Sequence, residues 1–284
     1  MSNEGAMDAQ PHDRVLLVGD THANPRWTAF VIDQAAKLEV DLVLQLGDFG
    51  YWPRHEPGQR FLDTVEAVLA DYDLPLWFID GNHEDHLRLR SAELEPGLRP
   101  ISPHVSYLPR GTRWDWEATT WLAAGGASSV DRKWRSQGID WFPLEFMTPE
   151  QLLAAASGPA DVVLAHDAPS GVRFIDQWYR QKDPLPTQRW PADALADSAA
   201  HQQRLRDLLD AVRPRVWFHG HHHVVYHETL ATDHGPTSVY GLDCDGASLT
   251  EAALLVDGTG TVLPWAALIN QAPSQDAAGR HSRN

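Results

Sequence analysis

VLLVGDTHAN, residues 15–24, sets four apolar residues directly before a glycine and an Asp-Thr-His group. A run that short and that apolar, closed by glycine, has the composition of a strand buried on both faces. Packing does not explain an aspartate and a histidine two positions apart at its end. The next runs repeat the arrangement. LVLQLGDFG (residues 42–50) sets Asp48 behind a second apolar run, and LPLWFIDGNHED (residues 74–85) sets Asn82 and His83 behind a third. Helix-like segments from Trp27 to Leu38 and from Phe61 to Tyr72 lie between them. Strand, helix, strand, helix, strand is the order of a parallel sheet. In open α/β sheets, sites form at the carboxyl ends of the strands.

Further along, short strands near residues 105–108, 112–116 and 120–124 follow one another without helices, and a second, mixed sheet is expected to begin there. A helix-like segment at 149–156 precedes the strand ADVVLAHD (residues 160–167), which ends on His166. After the polar, proline-containing stretch QKDPLPTQRWP (residues 181–191) come a helix near 199–212 and RVWFHGHHHVVYHE (residues 215–228), with His221 and His223. Residues 1–13 and 271–284 are polar, small and aperiodic, the composition of mobile ends. The remainder, 14–270, has no repeat and no linker and reads as a single domain.

At 284 residues the chain is long enough to bury a substantial core. Its formal net charge of -16 argues against a surface built to neutralise long nucleic-acid backbones, which is the work of lysine and arginine. A single cysteine, Cys244, permits no intramolecular disulfide and no cysteine-based zinc site, so a reducing compartment is expected. No stretch approaches the ~18 uncharged apolar residues of a membrane span, and the N-terminus lacks a basic flank followed by an apolar run. The expectation is a cytoplasmic protein with no membrane role.

Taken one at a time, the polar groups have ordinary explanations. Asp20 and Asp48 suit helix N-caps, Asn82 suits a turn, and His166 suits a hydrogen-bonded core histidine. Together they form a set of oxygen and imidazole donors at five strand ends, the donor chemistry that manganese, iron or zinc accepts. In order, the motifs read DTH, GD, GNHE, AH and GHHH, from Asp20 to His223.

In these motifs the sequence resembles the calcineurin-like metallophosphoesterase superfamily, whose signature is D-x-H, G-D, G-N-H-[DE], a lone histidine and G-H-x-H. The resemblance implies an α/β fold, a four-layer αββα sandwich of two mixed β-sheets flanked by helices. It also implies a dinuclear centre of two divalent metal ions. Asp20, His22 and His223 would hold one ion, Asn82, His166 and His221 the other, and Asp48 would bridge them. A bridging hydroxide would attack phosphorus, and His83 would protonate the leaving oxygen. His219, His221 and His223 share strand parity, and it is Gly220, matched to the family pattern, that selects His221 and His223. Manganese is the expected metal, with iron, zinc, nickel or cobalt also compatible with these donors.

The match is incomplete in one place. Protein phosphatases of this superfamily extend the second motif to G-D-x-x-D-R-G, whereas this chain reads GDFGYWPR, with Tyr51 and Trp52 where that acid and arginine would stand. Protein phosphatase activity is therefore disfavoured, and the support of His83 is left open. The segment at residues 123–146 sets cations among aromatics, and Arg132, Arg135 and Trp134 are candidate substrate contacts; a surface loop with solvated charges is the plainer reading. Trp178, Tyr179 and Trp190 are weaker candidates for the rim. The expected function is a phosphodiesterase acting on a small, nucleotide-like phosphate ester. The alternatives are a phosphomonoesterase, a nuclease and, from another class, a catalytically silent metal-binding recognition module.

Overall fold

Three strands, β1 (Val15–Val18), β2 (Leu42–Gln45) and β3 (Leu76–Phe78), lie side by side in parallel register, with Val15 opposite Leu42 and Val43 opposite Leu76. Successive side chains of a strand point to opposite faces. Leu16 and Val18 enter one core cluster, while Val15 and Leu17 enter another. Both faces being covered is why these runs are apolar throughout rather than alternating. The computed structural model describes residues 12–90, 97–182 and 189–265.

Helices α1 (Pro25–Lys37) and α2 (Glu56–Tyr72) cover the outer face of the first sheet through Val31, Ile32, Phe61, Val65 and Leu69. Burial of each such side chain contributes about 1.5–3 kcal/mol. Asn24 starts α1: its Oδ1 accepts from the Trp27 amide at 3.2 Å, and Pro25 takes the first turn, where no amide hydrogen is needed. The short helix α3 (His86–Arg90) follows β3.

The first sheet is completed by β4 (Arg99–Pro100), β5 (Val105–Tyr107) and β12 (Ala253–Val256), in the order β12-β1-β2-β3-β5-β4. The second contains β6 (Arg113–Trp116), β7 (Thr119–Ala124), β8 (Val162–Ala165), β9 (Val216–His219), β10 (Tyr226–Thr232) and β11 (Gly235–Gly241), in the order β10-β11-β9-β8-β7-β6. The strand at Val105 thus belongs to the first sheet, where it pairs in parallel with β3. The second sheet begins one strand later than its spacing suggests.

Helices α4 (Pro149–Ala155) and α6 (Ala192–Val212) cover the second sheet's outer face, and α5 (Arg173–Lys182) also packs there through Ile175. A short helix, α7 (Leu249–Ala252), leads into β12. Between the sheets, Leu17, Leu44, Leu164 and Phe218 meet Trp77, Trp114, Trp116 and Trp121 in one cluster. The result is the expected four-layer α/β sandwich. Several of the twelve tryptophans are therefore core residues; Trp114 stacks on Trp121 at 5.8 Å between ring centroids.

At the N-terminal edge His12 meets Trp77 and Trp116 edge-on, and the Asp13 amide donates to Asp41 Oδ2 at 3.0 Å. The rest of the 1–13 segment, residues 271–284 and most of the 183–191 stretch lie outside the described residues. Among the described residues no helix is long and apolar enough to cross a membrane.

Candidate metal centre

Five strands deliver the candidate ligands to one edge of the sandwich, each just past a carboxyl end. Asp20 follows β1 and is fully buried; its Oδ1 accepts from the His221 amide at 2.9 Å, and its Oδ2 lies 3.0 Å from His223 Nε2. Asp48 follows β2, and its Oδ1 accepts from the His83 amide at 2.7 Å. The other carboxylate oxygen, Oδ2, stands 3.7 Å from His22 Nε2.

His166, behind β8, donates from Nδ1 to the Leu46 carbonyl at 2.7 Å, which turns Nε2 toward Asp48 at 3.4 Å and Asn82 Oδ1 at 3.2 Å. Asn82 is turned by its other end. Its Nδ2 donates to Ser129 Oγ at 2.9 Å, and Ser129 is held by Glu145 and Arg135, both at 2.8 Å. The amide oxygen of Asn82, not its nitrogen, therefore faces the centre.

Sharp turns aim these side chains. His22, Asp48, His221 and His223 have φ of 45°, 52°, 67° and 50°, a left-handed conformation that residues other than glycine seldom adopt. Strain of this kind concentrates at functional sites. Two motif glycines have a steric purpose. A Cβ on Gly81 would sit 2.1 Å from Asp48 Oδ1, and one on Gly220 would sit 2.1 Å from Asp20 Oδ1.

Asp20, His22 and Asp48 bring one donor atom each within 4.8 Å of one another, and so do Asp48, His166 and His221. The two groups meet at Asp48. Carboxylate oxygens and imidazole nitrogens at this spacing fit a pair of divalent cations, since a shared carboxylate offsets the repulsion between them. His22, His223 and Cys244 form a further close group on the outer side.

Carboxylates favour the charged form of three of these imidazoles. Burial disfavours a charged imidazole, but Asp48 and Asp20 outweigh it and raise His166 to about 10. The same balance, burial against Asp48 and Asp20, raises His22 to about 9; hydrogen bonds to Asp20 and Cys244 raise His223 to about 11. A metal ligand must be a neutral imidazole, so any of these that takes an ion at neutral pH must first lose a proton. Metal affinity should consequently fall as pH drops and rise through the alkaline range. Calorimetric titration with manganese at pH 7, in buffers of different ionisation enthalpy, should show net proton release. A buffer-independent enthalpy would mean the imidazoles are already neutral.

His83 stands beside this cluster and lines the same cavity. Burial lowers its pKa, opposed by Asp48 and assisted by Arg135. Among the described residues none hydrogen-bonds its ring; besides Asp48, the carboxylate favouring its charged form is Asp131. Tyr51, which stands where the protein phosphatases have an aspartate, is instead part of the core between the first sheet and its helices.

The three candidate substrate contacts have other partners. Arg132 pairs with Asp193 and Asp197 at the start of α6, tying the loop to that helix. Arg135 is engaged by Ser129 and by the Asp140 carbonyl, so it acts on Asn82 from behind. Trp134 is exposed and meets Trp190 edge-on. None of the three lines the cavity over the centre, whereas Lys182, Arg189, Tyr179 and Trp190 do.

Asp245 was not singled out from the sequence. It accepts from Asn24 Nδ2 at 2.7 Å and lies 2.8 Å from His22 Nδ1, which turns His22 Nε2 toward Asp20 and Asp48. The signal was available, since Asp245 follows a strand in LDCDG (residues 242–246), as the other site residues do. Loss of such an outer partner weakens metal binding by roughly 10–100-fold. That is the expected result for Asp245→Ala by metal titration, and an unchanged affinity would relegate the contact to packing.

The cavity over the centre measures about 570 Å³ and is walled by the 129–131 loop on one side and by α5 and α6 on the other. A family model described as calcineurin-like phosphoesterase matches residues 13–225. Among solved structures, the fold is similar to that of a dimetal phosphatase from Danio rerio (14% identity, 87% of this chain and 93% of that one, TM-score 0.52). It is also similar to that of a protein from Thermus thermophilus (14% identity, 89% of this chain and 97% of that one, TM-score 0.50). Comparison with curated protein sequences finds no match.

Proposed function

The chain belongs to the calcineurin-like phosphoesterase family, and from that premise we propose that its substrate is a small phosphodiester with a nucleotide-like substituent. The protein is a metal-dependent phosphoric ester hydrolase with a dinuclear divalent metal centre. When bound, the cations polarise the phosphoryl group and make a nucleophile of water at neutral pH. In this reading Asp20, His22 and His223 hold one ion, Asn82, His166 and His221 the other, and Asp48 both. Manganese is the proposed metal, and the same oxygen and imidazole donors accept iron, zinc, nickel or cobalt.

His83 is proposed to give its proton to the leaving oxygen. Burial makes it a stronger acid than a free imidazole, and its backbone amide, bonded to Asp48 Oδ1, ties its position to the ligand cluster. Arg135, Ser129 and Glu145 keep the Asn82 oxygen turned inward.

The observation that supports a diester is the charge of the cavity wall. Lys182 and Arg189 share the wall with Asp131 and Asp176, two cations against two carboxylates, so the wall itself offers little to the second charge of a monoester dianion. A diester carries a single charge and needs room on both sides of phosphorus. At about 570 Å³ the cavity lies within the range of small-molecule sites, and Trp190 and Tyr179 supply aromatic surface for a ring.

The test is the ratio of manganese-dependent kcat/KM on bis(p-nitrophenyl) phosphate to that on p-nitrophenyl phosphate, with chelated protein as the blank. A ratio well above one is expected. A ratio below one assigns the protein to the phosphomonoesterases.

A further inference from the structure

Behind the candidate ligands lies a hydrogen-bonded chain with no part in holding metal. Asp167 is fully buried, next in sequence to His166. Its Oδ1 accepts from the Ala168 amide at 2.7 Å and from Gln202 Nε2 at 3.3 Å, and lies 3.0 Å from His222 Nε2. Its Oδ2 lies 3.1 Å from His201 Nδ1. Asp167, His221 and His222 are close enough to suggest a third metal position. Four nitrogen partners already surround the two oxygens of Asp167, however. It acts instead as an acceptor that orients what surrounds it.

The orientation passes outward. A carboxylate accepts only, so His222 Nε2 carries the hydrogen toward Asp167; in a neutral imidazole Nδ1 is then the bare nitrogen. Tyr179 Oη lies 2.9 Å from that nitrogen and, with the imidazole neutral, donates to it. A tyrosine phenol is protonated at neutral pH, so it keeps the hydrogen it donates. A phenol has one hydrogen and two acceptor lone pairs. With the hydrogen committed to His222, Tyr179 can only accept from whatever enters the cavity.

We propose that Tyr179 is a specificity-determining residue that reads the ester's organic substituent by accepting a hydrogen bond from a hydroxyl or amine on it. Tyr179 stands on α5 in the cavity wall shared with His22, Asn82, His83 and His223. The chain Asp167–His222–Tyr179 fixes its polarity from the core outward. The favoured substrate class is a phosphate ester of a polyol, sugar or amino-bearing group, in preference to plain aryl or alkyl esters. This rests on the phosphoesterase reading and narrows its substrate.

A site polar group left unpaired by a substrate costs about 1–3 kcal/mol, which is about 5–150-fold in rate. The experiment compares wild type with Tyr179→Phe, which keeps the ring and removes the oxygen, on two manganese-dependent reactions. One substrate is bis(p-nitrophenyl) phosphate, which carries no donor; the other is the p-nitrophenyl ester of thymidine 5′-monophosphate, which does. The ratio of kcat/KM for the second to the first should fall at least tenfold in Tyr179→Phe, mainly through KM. An unchanged ratio, with both rates altered alike or not at all, would overturn the proposal. If the wild type prefers monoesters, the diester reading fails alone, and the same ratio is read with glycerol 2-phosphate against phenyl phosphate.

Discussion

Asp48→Ala should abolish metal binding and reduce phosphoester hydrolysis by about a thousandfold or more, as expected when several kcal/mol of metal stabilisation is lost. No other residue belongs to both groups of donors, Asp20–His22–Asp48 and Asp48–His166–His221. Its removal leaves each group one oxygen short and also removes the negative charge that lets two cations stand together. Asp48 is buried and sits in a left-handed turn, so alanine carries a folding risk. Asp48→Asn is the control, because it retains an acceptor for the His83 amide, which Asp48 Oδ1 now serves. Both variants should retain the wild-type circular dichroism and bind markedly less than two equivalents of manganese. Wild-type metal content in Asp48→Asn, together with wild-type turnover, would remove Asp48 from the centre.

His83→Ala should leave metal content unchanged while turnover of alkyl esters falls by about 10²–10⁴-fold, the range for loss of a general acid. The size should depend on the leaving group. A nitrophenolate departs without a proton, so its esters should lose far less than those of an alcohol. Measuring both leaving groups separates proton donation from general damage to the site, which would slow them equally. Full activity of His83→Ala on an alkyl ester would exclude proton donation by His83.

Much of the centre was legible because its residues are out of place by the rules of packing. Apolar runs ending in Gly-Asp, Gly-Asn-His or Gly-His interrupt the burial pattern at fixed points, and β1, β2 and β3 coincide with the continuous buried runs Val15–Val18, Leu42–Gln45 and Leu76–Phe78. Helix α5 was harder to see. Arg173–Lys182 is strongly polar, and among its described residues only Ile175 is buried, so no apolar stripe marks it. Helix α6 begins at Ala192, seven residues ahead of where its pattern becomes clear, because its first two turns bury only the small Ala194 and otherwise face solvent and the cavity.

The histidine run shows the same division. Strand parity relates His219, His221 and His223, but β9 ends at His219, whose ring is buried against Tyr226. His221 and His223 reach the centre through left-handed turns, not strand alternation. Cations 132 and 135 were likewise visible as charges, yet the spacing of residues could not show that Asp193 and Asp197 claim one and Ser129 the other.

By itself the sequence determined the layered α/β architecture, the family and the donor types at the strand ends, because burial periodicity and motif order are local properties written along the chain. Tertiary structure alone decided which groups orient those donors and what walls the cavity. Asp245 meets His22 across more than two hundred residues, Ser129 meets Asn82 across forty-seven, and Asp167 reaches Tyr179 through His222. Such contacts depend on how two sheets and their helices pack against one another, and a hydrogen bond between distant segments leaves no periodicity in either.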